Sequence, residues 1–95
     1  MSRVIASQTW HLSLPGCASL KEKRSVVRSL KDRLRSRFHV SAAETGDQDV
    51  LTRAELSVAL VTTDRRFAEP GLDKADRMIQ ENGRALVVDT RRELY

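Results

Sequence analysis

The sequence has few residues of the types that build redox, metal or phosphate-loop sites. Its 95 residues include one cysteine, two histidines, two prolines and four glycines. The single cysteine, Cys17, excludes an internal disulfide framework and a zinc site made of cysteines. The two histidines have no partner at metal-ligand spacing, and the glycines form no phosphate-binding loop. We therefore predict no bound metal and no cofactor.

Long hydrophobic runs are also absent from the sequence. The apolar stretches are a few residues long, as at 85–88, whereas a membrane-spanning helix needs about 20. The amino-terminal segment has no apolar stretch of signal-peptide length. A content of 40% hydrophobic and 32% charged residues is typical of a globular chain of one domain. We expect a single domain over 1–95, located in the cytoplasm and not in a membrane.

Charge is unevenly distributed along the chain. The net charge is +4, but residues 1–38 carry nine basic and two acidic side chains, a net charge of +7. Residues 39–95 carry eight basic and eleven acidic side chains, a net charge of −3. Such asymmetry favours an anionic partner for the basic half. A solvated helix face accounts for the same charges, so both interpretations stand at this point.

Hydrophobic patterning predicts four strands and one long helix. Residues 3–14 and 54–62 have the period-two pattern of strands with a buried face, and 39–45 and 86–90 are weaker strand candidates. Between the first two strands, 19–38 is a helix that starts with a capping box at Ser19-Leu20-Lys21-Glu22. The apolar row of this helix consists of Leu20, Val27, Leu30, Leu34 and Phe38.

A second helix is predicted after the third strand. Asp64 is its expected N-cap, and Asn82-Gly83 is its expected end. Its apolar positions are Phe67 or Ala68, Leu72, Ala75 and Ile79. Pro70-Gly71 falls inside this pattern, and a proline removes a helical hydrogen bond. We therefore expect the helix to be kinked, or to start afresh near Pro70.

The order β-α-β-β-α-β predicts an α+β fold. Two right-handed β-α-β crossovers interleave into a four-stranded antiparallel sheet with both helices on one face, which is a ferredoxin-like sandwich. That arrangement places the first and third strands in the centre of the sheet. These are the two strands with the clearest buried faces, so the local and the global patterns agree.

Four segments of the chain are distinctive. They are Leu12-Ser13-Leu14-Pro15, Ser19-Leu20-Lys21-Glu22-Lys23-Arg24, Phe38-His39-Val40-Ser41-Ala42-Ala43-Glu44 and Arg53-Ala54-Glu55-Leu56. Together they resemble the YlxP-like family of bacterial proteins, a domain of unknown function of about this length. The resemblance covers 4–63 well and the rest loosely, and the chain departs from it at Pro70-Gly71. It implies a ferredoxin-like fold, a bacterial cytoplasmic protein often encoded beside translation initiation and ribosome-maturation factors, and no established catalytic residues.

Basic side chains form a row along the first predicted helix. At 100° per residue, five cations spaced i, i+3, i+7, i+10 and i+14 fall within an arc of about 80° beside the apolar row. They span about 21 Å, which matches several phosphates of a nucleic-acid backbone. Together with Lys23 of the same segment, the candidate contacts are Lys21, Lys23, Arg24, Arg28, Lys31 and Arg35. The predicted partner is RNA or the ribosome, and a merely solubilising helix face is the alternative.

Recognition of RNA bases is not supported by the sequence. RNA-binding domains of this fold stack bases on aromatic side chains of the first and third strands. The aromatic residues are Trp10, Phe38, Phe67 and Tyr95. Trp10 has the parity of the buried face, where we expect it to pack, and the third strand has no aromatic residue. Any contact with RNA is therefore predicted to involve its backbone or shape.

The sheet face away from the helices is a second candidate surface. Its expected residues are small or apolar: Ile5, Ser7, Thr9, His11, Ser57, Ala59, Val61 and Val87. The uncovered face of a monomer normally carries charge, so this composition favours a homo-oligomer. The interface hypothesis names Thr9, His11, Ser57, Ala59 and Val61. Under this alternative the basic helix only keeps the protein soluble. A small molecule bound between the sheets of a dimer is a third hypothesis.

The candidates for catalysis are isolated residues. His11 lies near hydroxyl side chains, but no third group that would orient a catalytic triad can be placed. Cys17 precedes a predicted helix N-terminus, which favours a reactive thiolate, although ordinary loop cysteines occupy such positions too. The acidic residues Glu44, Asp47 and Asp49 are of the type that attracts Mg²⁺, although loops at sheet ends are commonly acidic. We therefore predict that the protein is not an enzyme.

Overall fold

The computed structural model describes residues 2–95 and contains the six predicted elements. They are β1 (Val4–Ser13), α1 (Leu20–Phe38), β2 (Ser41–Gly46), β3 (Arg53–Thr62), α2 (Arg65–Gln80) and β4 (Leu86–Leu94). The strands form one antiparallel sheet in the order β2-β3-β1-β4. The predicted ferredoxin-like α+β fold, with the first and third strands in the centre, is confirmed. No helix within the described residues is long and apolar enough to cross a membrane.

The core lies between one face of the sheet and the two helices. Along β1 every even-numbered residue is buried and every odd-numbered residue is half-buried, as the alternation predicted. Trp10 is fully buried, and its partner across the sheet, Leu56 of β3, is fully buried as well. With the buried apolar side chains of α1 and α2 they form one cluster. The prediction that Trp10 packs in the core is confirmed.

α1 begins at the predicted N-cap, Ser19, but the Glu22 carboxylate of the predicted capping box bonds the residue before the N-cap. The Ser19 hydroxyl accepts a hydrogen bond from the Glu22 backbone N–H at 3.1 Å, and a Glu22 carboxylate oxygen accepts one from the Ala18 N–H at 3.1 Å. The buried side of the helix consists of Lys23, Val26, Val27, Leu30 and Leu34. Leu20 is exposed, contrary to its predicted place in the apolar row, and Phe38 is only partly buried. Both lie at the margin of the buried side, about 60° from its centre at 100° per residue.

α2 continues through Pro70. The helix runs from Arg65 to Gln80, and its N-cap Asp64 accepts a hydrogen bond from the Arg66 backbone N–H at 2.9 Å. The expected fresh start near Pro70 is therefore wrong. Proline lacks a backbone N–H, which removes one hydrogen bond of the helix, but the buried face of α2 packs against the sheet and stabilises the helix through this position. That face consists of Ala68, Leu72, Ala75, Met78 and Ile79. Side-chain hydrogen bonds from Arg66 lower the pKa of the Asp64 carboxyl.

A β-bulge in the pairing of β1 with β4 changes which residues of β4 face the core. His11 is opposite Asp89, whereas its neighbour Leu12 is opposite Val87, so Val88 has no direct partner on β1. Val87 consequently packs against the core. Our placement of Val87 on the uncovered face is wrong, because the extra residue reverses the alternation of β4. Val88 is 71% exposed.

Candidate nucleic-acid interface

The solvent side of α1 carries the predicted basic residues. Lys21, Arg24 and Arg28 are exposed, and we call these three the basic row. Within residues 2–95 no ion pair involves any of the three. Helical spacing places them on one side of α1, because they follow one another at intervals of three and four residues. Their charges are therefore available to an anionic ligand.

Lys23 is a buried residue of the core and not a surface contact. Its side chain is 1% exposed, and its ammonium lies 3.2 Å from a Glu44 carboxylate oxygen. The same ammonium donates hydrogen bonds to the backbone carbonyls of Asp47 and Gln48, in the turn between β2 and β3. The prediction that Lys23 binds phosphate is therefore wrong. A helical projection indicates the true position, because Lys23 lies near the centre of the buried side of α1.

The two remaining predicted contacts are less available than the basic row. The Arg35 guanidinium donates a hydrogen bond to the Ala42 carbonyl of β2 and lies 3.8 Å from an Asp32 carboxylate oxygen. Arg35 therefore joins α1 to the edge of the sheet, although its side chain is still half exposed. Lys31 is of intermediate exposure. The structure thus divides the six predicted contacts into three free cations, one partly exposed lysine, one arginine engaged by the fold and one buried lysine.

A second group of cations, which the sequence alone did not bring together, lines a cleft between the helices. Arg33 and Arg37 of α1 face Lys74 and Arg77 of α2 across this interhelical cleft. In the part of the chain that the structure describes, none of these four side chains forms an ion pair. Glu81 is the one carboxylate that lines the cleft. The cleft is therefore a positively charged depression.

The uncovered sheet face, which we call the open face, carries a chain of hydrogen-bonded hydroxyl groups. The hydroxyls of Thr9 and Ser57 are 2.8 Å apart, and those of Ser57 and Thr45 are 2.7 Å apart. Thr45 also donates to a Glu55 carboxylate oxygen at 2.6 Å, and His11 Nε2 lies 3.7 Å from the other. The carboxylate thus stands between hydroxyl and imidazole. In a catalytic triad the imidazole stands between hydroxyl and carboxylate, so this arrangement does not activate a nucleophile.

The remaining residues predicted for the open face occupy it. Ala59 is opposite Ser7 of β1, and Val61, which is 70% exposed, is opposite Ile5. These side chains make one end of the open face apolar. The other end is polar, because it contains His11 and Glu55 in opposite positions on β1 and β3.

Buried polar contacts hold β1 against α2. The Trp10 indole N–H donates to an Asp76 carboxylate oxygen at 2.8 Å, and the Gln8 side-chain amide donates to the same oxygen at 3.0 Å. The Arg92 guanidinium donates to the Gln8 side-chain oxygen at 2.8 Å and to Asp73 at 2.8 Å. Gln8 interrupts the apolar pattern of β1 because it is part of this network. The network is structural, since each of its polar groups has a partner.

Two other residues considered for catalysis or metal binding have structural roles. Cys17 is buried with the core, and the Glu44 carboxylate faces Lys23. Among residues 2–95 no three histidine, cysteine or acidic side chains are grouped so as to hold a metal ion.

Several solved structures and one curated relative are similar to the chain. The "Uncharacterized protein YlxP" of Bacillus subtilis (strain 168) is 38% identical over 56 residues, which are 59% of this chain and 61% of that protein. The match thus spans less than two thirds of the relative's length. The de novo designed protein Foldit4 has a TM-score of 0.54 at 11% identity, over 99% of this chain and 97% of that chain, which shows the fold alone. A C-terminal segment of the alpha subunit of aIF2 from Pyrococcus abyssi has a TM-score of 0.45 at 17% identity, over 96% and 48% of the two chains, and this loose likeness carries no conclusion.

A family model covers nearly the whole sequence. It is described as a protein of unknown function, DUF503, and it matches residues 5–92. The relative from Bacillus subtilis supports the resemblance to YlxP-like proteins that the sequence motifs indicated. The chain therefore belongs to the DUF503 family of YlxP-like proteins of unknown function.

Proposed function

We propose that this protein binds RNA, free or within the ribosome, through the phosphate groups of the RNA backbone. The observation that carries the proposal is the basic row of α1. Lys21, Arg24 and Arg28 are exposed on one side of the helix, and they form no ion pair within the described residues. The three positions span about 10 Å of the helix axis, so the row presents a line of charge to a phosphate backbone. Arginine suits phosphate because its planar guanidinium donates two parallel hydrogen bonds.

The same proposal includes the absence of catalysis and a location in the bacterial cytoplasm. The contact of His11 with Glu55 and the burial of Cys17 support a binding protein, because neither residue is arranged as an activated nucleophile or its base. Contacts to a phosphate backbone are largely independent of sequence. We therefore propose that selectivity comes from the shape of the RNA and not from its bases.

Binding through the basic row has to depend strongly on salt. Neutralising three phosphates releases condensed counterions, so the basic row alone contributes a slope of about −2 to −3 to the logarithm of the affinity plotted against the logarithm of salt concentration. We expect the affinity for a structured RNA to fall by at least about 15-fold between 50 and 200 mM salt. Fluorescence anisotropy of a labelled RNA hairpin, titrated at four salt concentrations, measures this slope.

Reversing two charges of the basic row is expected to remove most of the binding. Arg24→Glu with Arg28→Glu deletes two phosphate contacts and adds repulsion, so we expect at least about a 30-fold loss of affinity at 100 mM salt. The matched control is Arg53→Glu with Arg84→Glu, which changes the net charge equally at two exposed positions outside α1. The control is expected to lose less than about 5-fold, since distant charges are largely screened. Equal losses in both variants, or none in the first, would contradict the proposal.

Self-association through the open face is the second candidate function. The observation that favours it is the apolar end of that face, where Val61 is 70% exposed beside Ile5 and Ala59. Pairing two such faces removes this apolar surface from water, which stabilises a dimer. Such a dimer leaves the basic row outside the interface, because α1 packs on the other face of the sheet. The two candidate functions are therefore compatible.

A lysine at the apolar end is expected to abolish self-association. Val61→Lys would bury an unpaired charge in a dimer, so we expect a dimeric wild-type protein to become monomeric. The control is Phe67→Lys, which places the same charge at a similarly exposed apolar residue on α2. Light scattering coupled to size-exclusion chromatography measures the mass of each variant. A wild-type protein that stays monomeric at its highest soluble concentration would refute this second function.

A further inference from the structure

The exposed surface of α1 has three parallel rows of side chains. One is the basic row. About 90° further around the helix axis, at 100° per residue, is a serine row consisting of Ser25, Ser29 and Ser36. About 80° beyond the serine row lie Arg33 and Arg37. All of these side chains are exposed. Cations therefore flank a strip of small hydroxyl side chains on both sides.

The second cationic side is broader than one helix. Arg33 and Arg37 line the interhelical cleft together with Lys74 and Arg77, and Glu81 is the one opposing carboxylate of its lining. The Arg37 guanidinium also lies 5.9 Å from the centre of the Phe38 ring, which holds it near the cleft. The positive charge on this side thus comes from two different helices, and it is separate from the basic row.

The distance between the two cationic sides indicates whether a single strand or a duplex fits them. They are separated by the width of a helix with its side chains, about 10–12 Å. A single strand of nucleic acid has one row of phosphates and engages one side. A duplex has a row of phosphates on each side of a groove, and it matches both sides at once.

The serine row favours duplex RNA over duplex DNA. The minor groove of A-form RNA is wide and shallow and displays ribose 2′-hydroxyls, with which serine hydroxyls form hydrogen bonds as donors or acceptors. The major groove of B-form DNA is about 8.5 Å deep, and its minor groove is only about 6 Å wide. α1 packs against α2 and β2. The side chains of its serine row are too short to reach the floor of a deep groove. The shallow groove therefore fits better.

We propose that the ligand of α1 is double-stranded RNA, with α1 lying along its minor groove. The basic row contacts the phosphates of one strand, the cations of the interhelical cleft contact those of the other, and the serine row contacts the 2′-hydroxyls between them. This inference rests on the proposed function and names its substrate class. Asp32 is an exposed acidic residue beside the serine row, and its carboxylate lies 3.8 Å from the Arg35 guanidinium. Its negative charge repels the phosphates of the RNA.

The test compares three ligands of identical sequence at one salt concentration. They are a duplex RNA of about 20 base pairs, its single strand and the corresponding duplex DNA, since known double-stranded RNA-binding domains span about 16 base pairs. We expect the duplex RNA to bind at least about 10-fold more tightly than either of the others. Equal affinity for the single strand or for the duplex DNA would overturn the inference.

Three variants separate this inference from the proposed function. Arg33→Glu with Arg37→Glu is expected to weaken duplex binding by at least about 10-fold, because it removes the second row of contacts. Ser29→Leu, which leaves the charge unchanged, is expected to weaken it too, whereas Ser41→Leu on β2 is not. Asp32→Asn is expected to strengthen it about 2-fold or more, since it removes a repulsive charge.

The outcomes of the two sets of variants are distinguishable. If Arg24→Glu with Arg28→Glu removes binding while the Arg33 and Arg37 variant and Ser29→Leu bind normally, the duplex inference fails and the proposed function stands. If the variant of Arg24 and Arg28 also binds normally, both fail. Circular dichroism of each variant verifies that its fold is retained.

Discussion

Replacing Lys23 by alanine is expected to lower the free energy of unfolding by about 3–5 kcal/mol. The substitution removes a buried ammonium and leaves the carboxylate of Glu44, which is 17% exposed, without its partner. It also removes the donor to the carbonyls of Asp47 and Gln48. Since a domain of this size is stable by about 5–15 kcal/mol, we expect a marginally folded protein. Urea denaturation followed by circular dichroism measures the loss.

Two comparisons identify the cause of that loss. Lys21→Ala removes an exposed lysine of the same helix and is expected to change stability by less than about 0.5 kcal/mol. Lys23→Met with Glu44→Leu removes both charges, and we expect it to recover much of the loss because an apolar pair replaces a buried ion pair. A loss below about 1 kcal/mol for Lys23→Ala would show that the ion pair does not hold α1 to the β2–β3 turn.

Replacing Trp10 by alanine is expected to cost about 3–5 kcal/mol of stability. Trp10 is the largest fully buried side chain of the core, on the central strand β1, and its loss leaves a cavity between the sheet and α2. Its indole also donates to Asp76. The deletion therefore combines lost apolar burial with a lost hydrogen bond to a charged group. The measurement is chemical denaturation followed by far-ultraviolet circular dichroism, because Trp10 is the only tryptophan.

Trp10→Phe separates the two contributions. Phenylalanine keeps much of the apolar volume and lacks the N–H, so we expect a loss of about 1–3 kcal/mol. Phe67→Ala removes an exposed aromatic residue and is the control, with an expected change within about 0.5 kcal/mol. If Trp10→Ala cost no more than Phe67→Ala, the assignment of Trp10 to the core would be refuted.

The sequence predicted the features that depend on one element at a time. Neighbouring residues are enough to indicate the alternation of β1, the N-cap at Ser19 and the order of the elements. Together these features indicate the fold. Lys23 was misassigned because its partners lie in a turn 24 residues away, and a row of neighbouring cations resembles a surface. Its place near the centre of the buried side of α1 was a signal within the sequence, but a buried lysine requires a partner that only the fold supplies.

Features made by two elements escaped prediction for the same reason. The bulge that turns Val87 toward the core is a property of the pairing of β4 with β1, and nothing in the β4 pattern alone indicates it. The interhelical cleft joins Arg33 and Arg37 to Lys74 and Arg77, which are about forty positions away along the chain. Charge patterns along one helix cannot show which cations a second helix adds.

The contact between Arg35 and the Ala42 carbonyl has a consequence for aggregation. β2 is an edge strand, and the unpaired backbone groups of an edge are a template on which a strand of another molecule can add. The Arg35 guanidinium lies against this edge strand, where it donates a hydrogen bond to the Ala42 carbonyl, and a charged side chain at an edge disfavours such addition. At the opposite edge, β4 carries the charged residues Asp89, Arg91, Arg92 and Glu93, which disfavour the same addition. Each border of the sheet thus carries charged side chains that disfavour edge-to-edge growth.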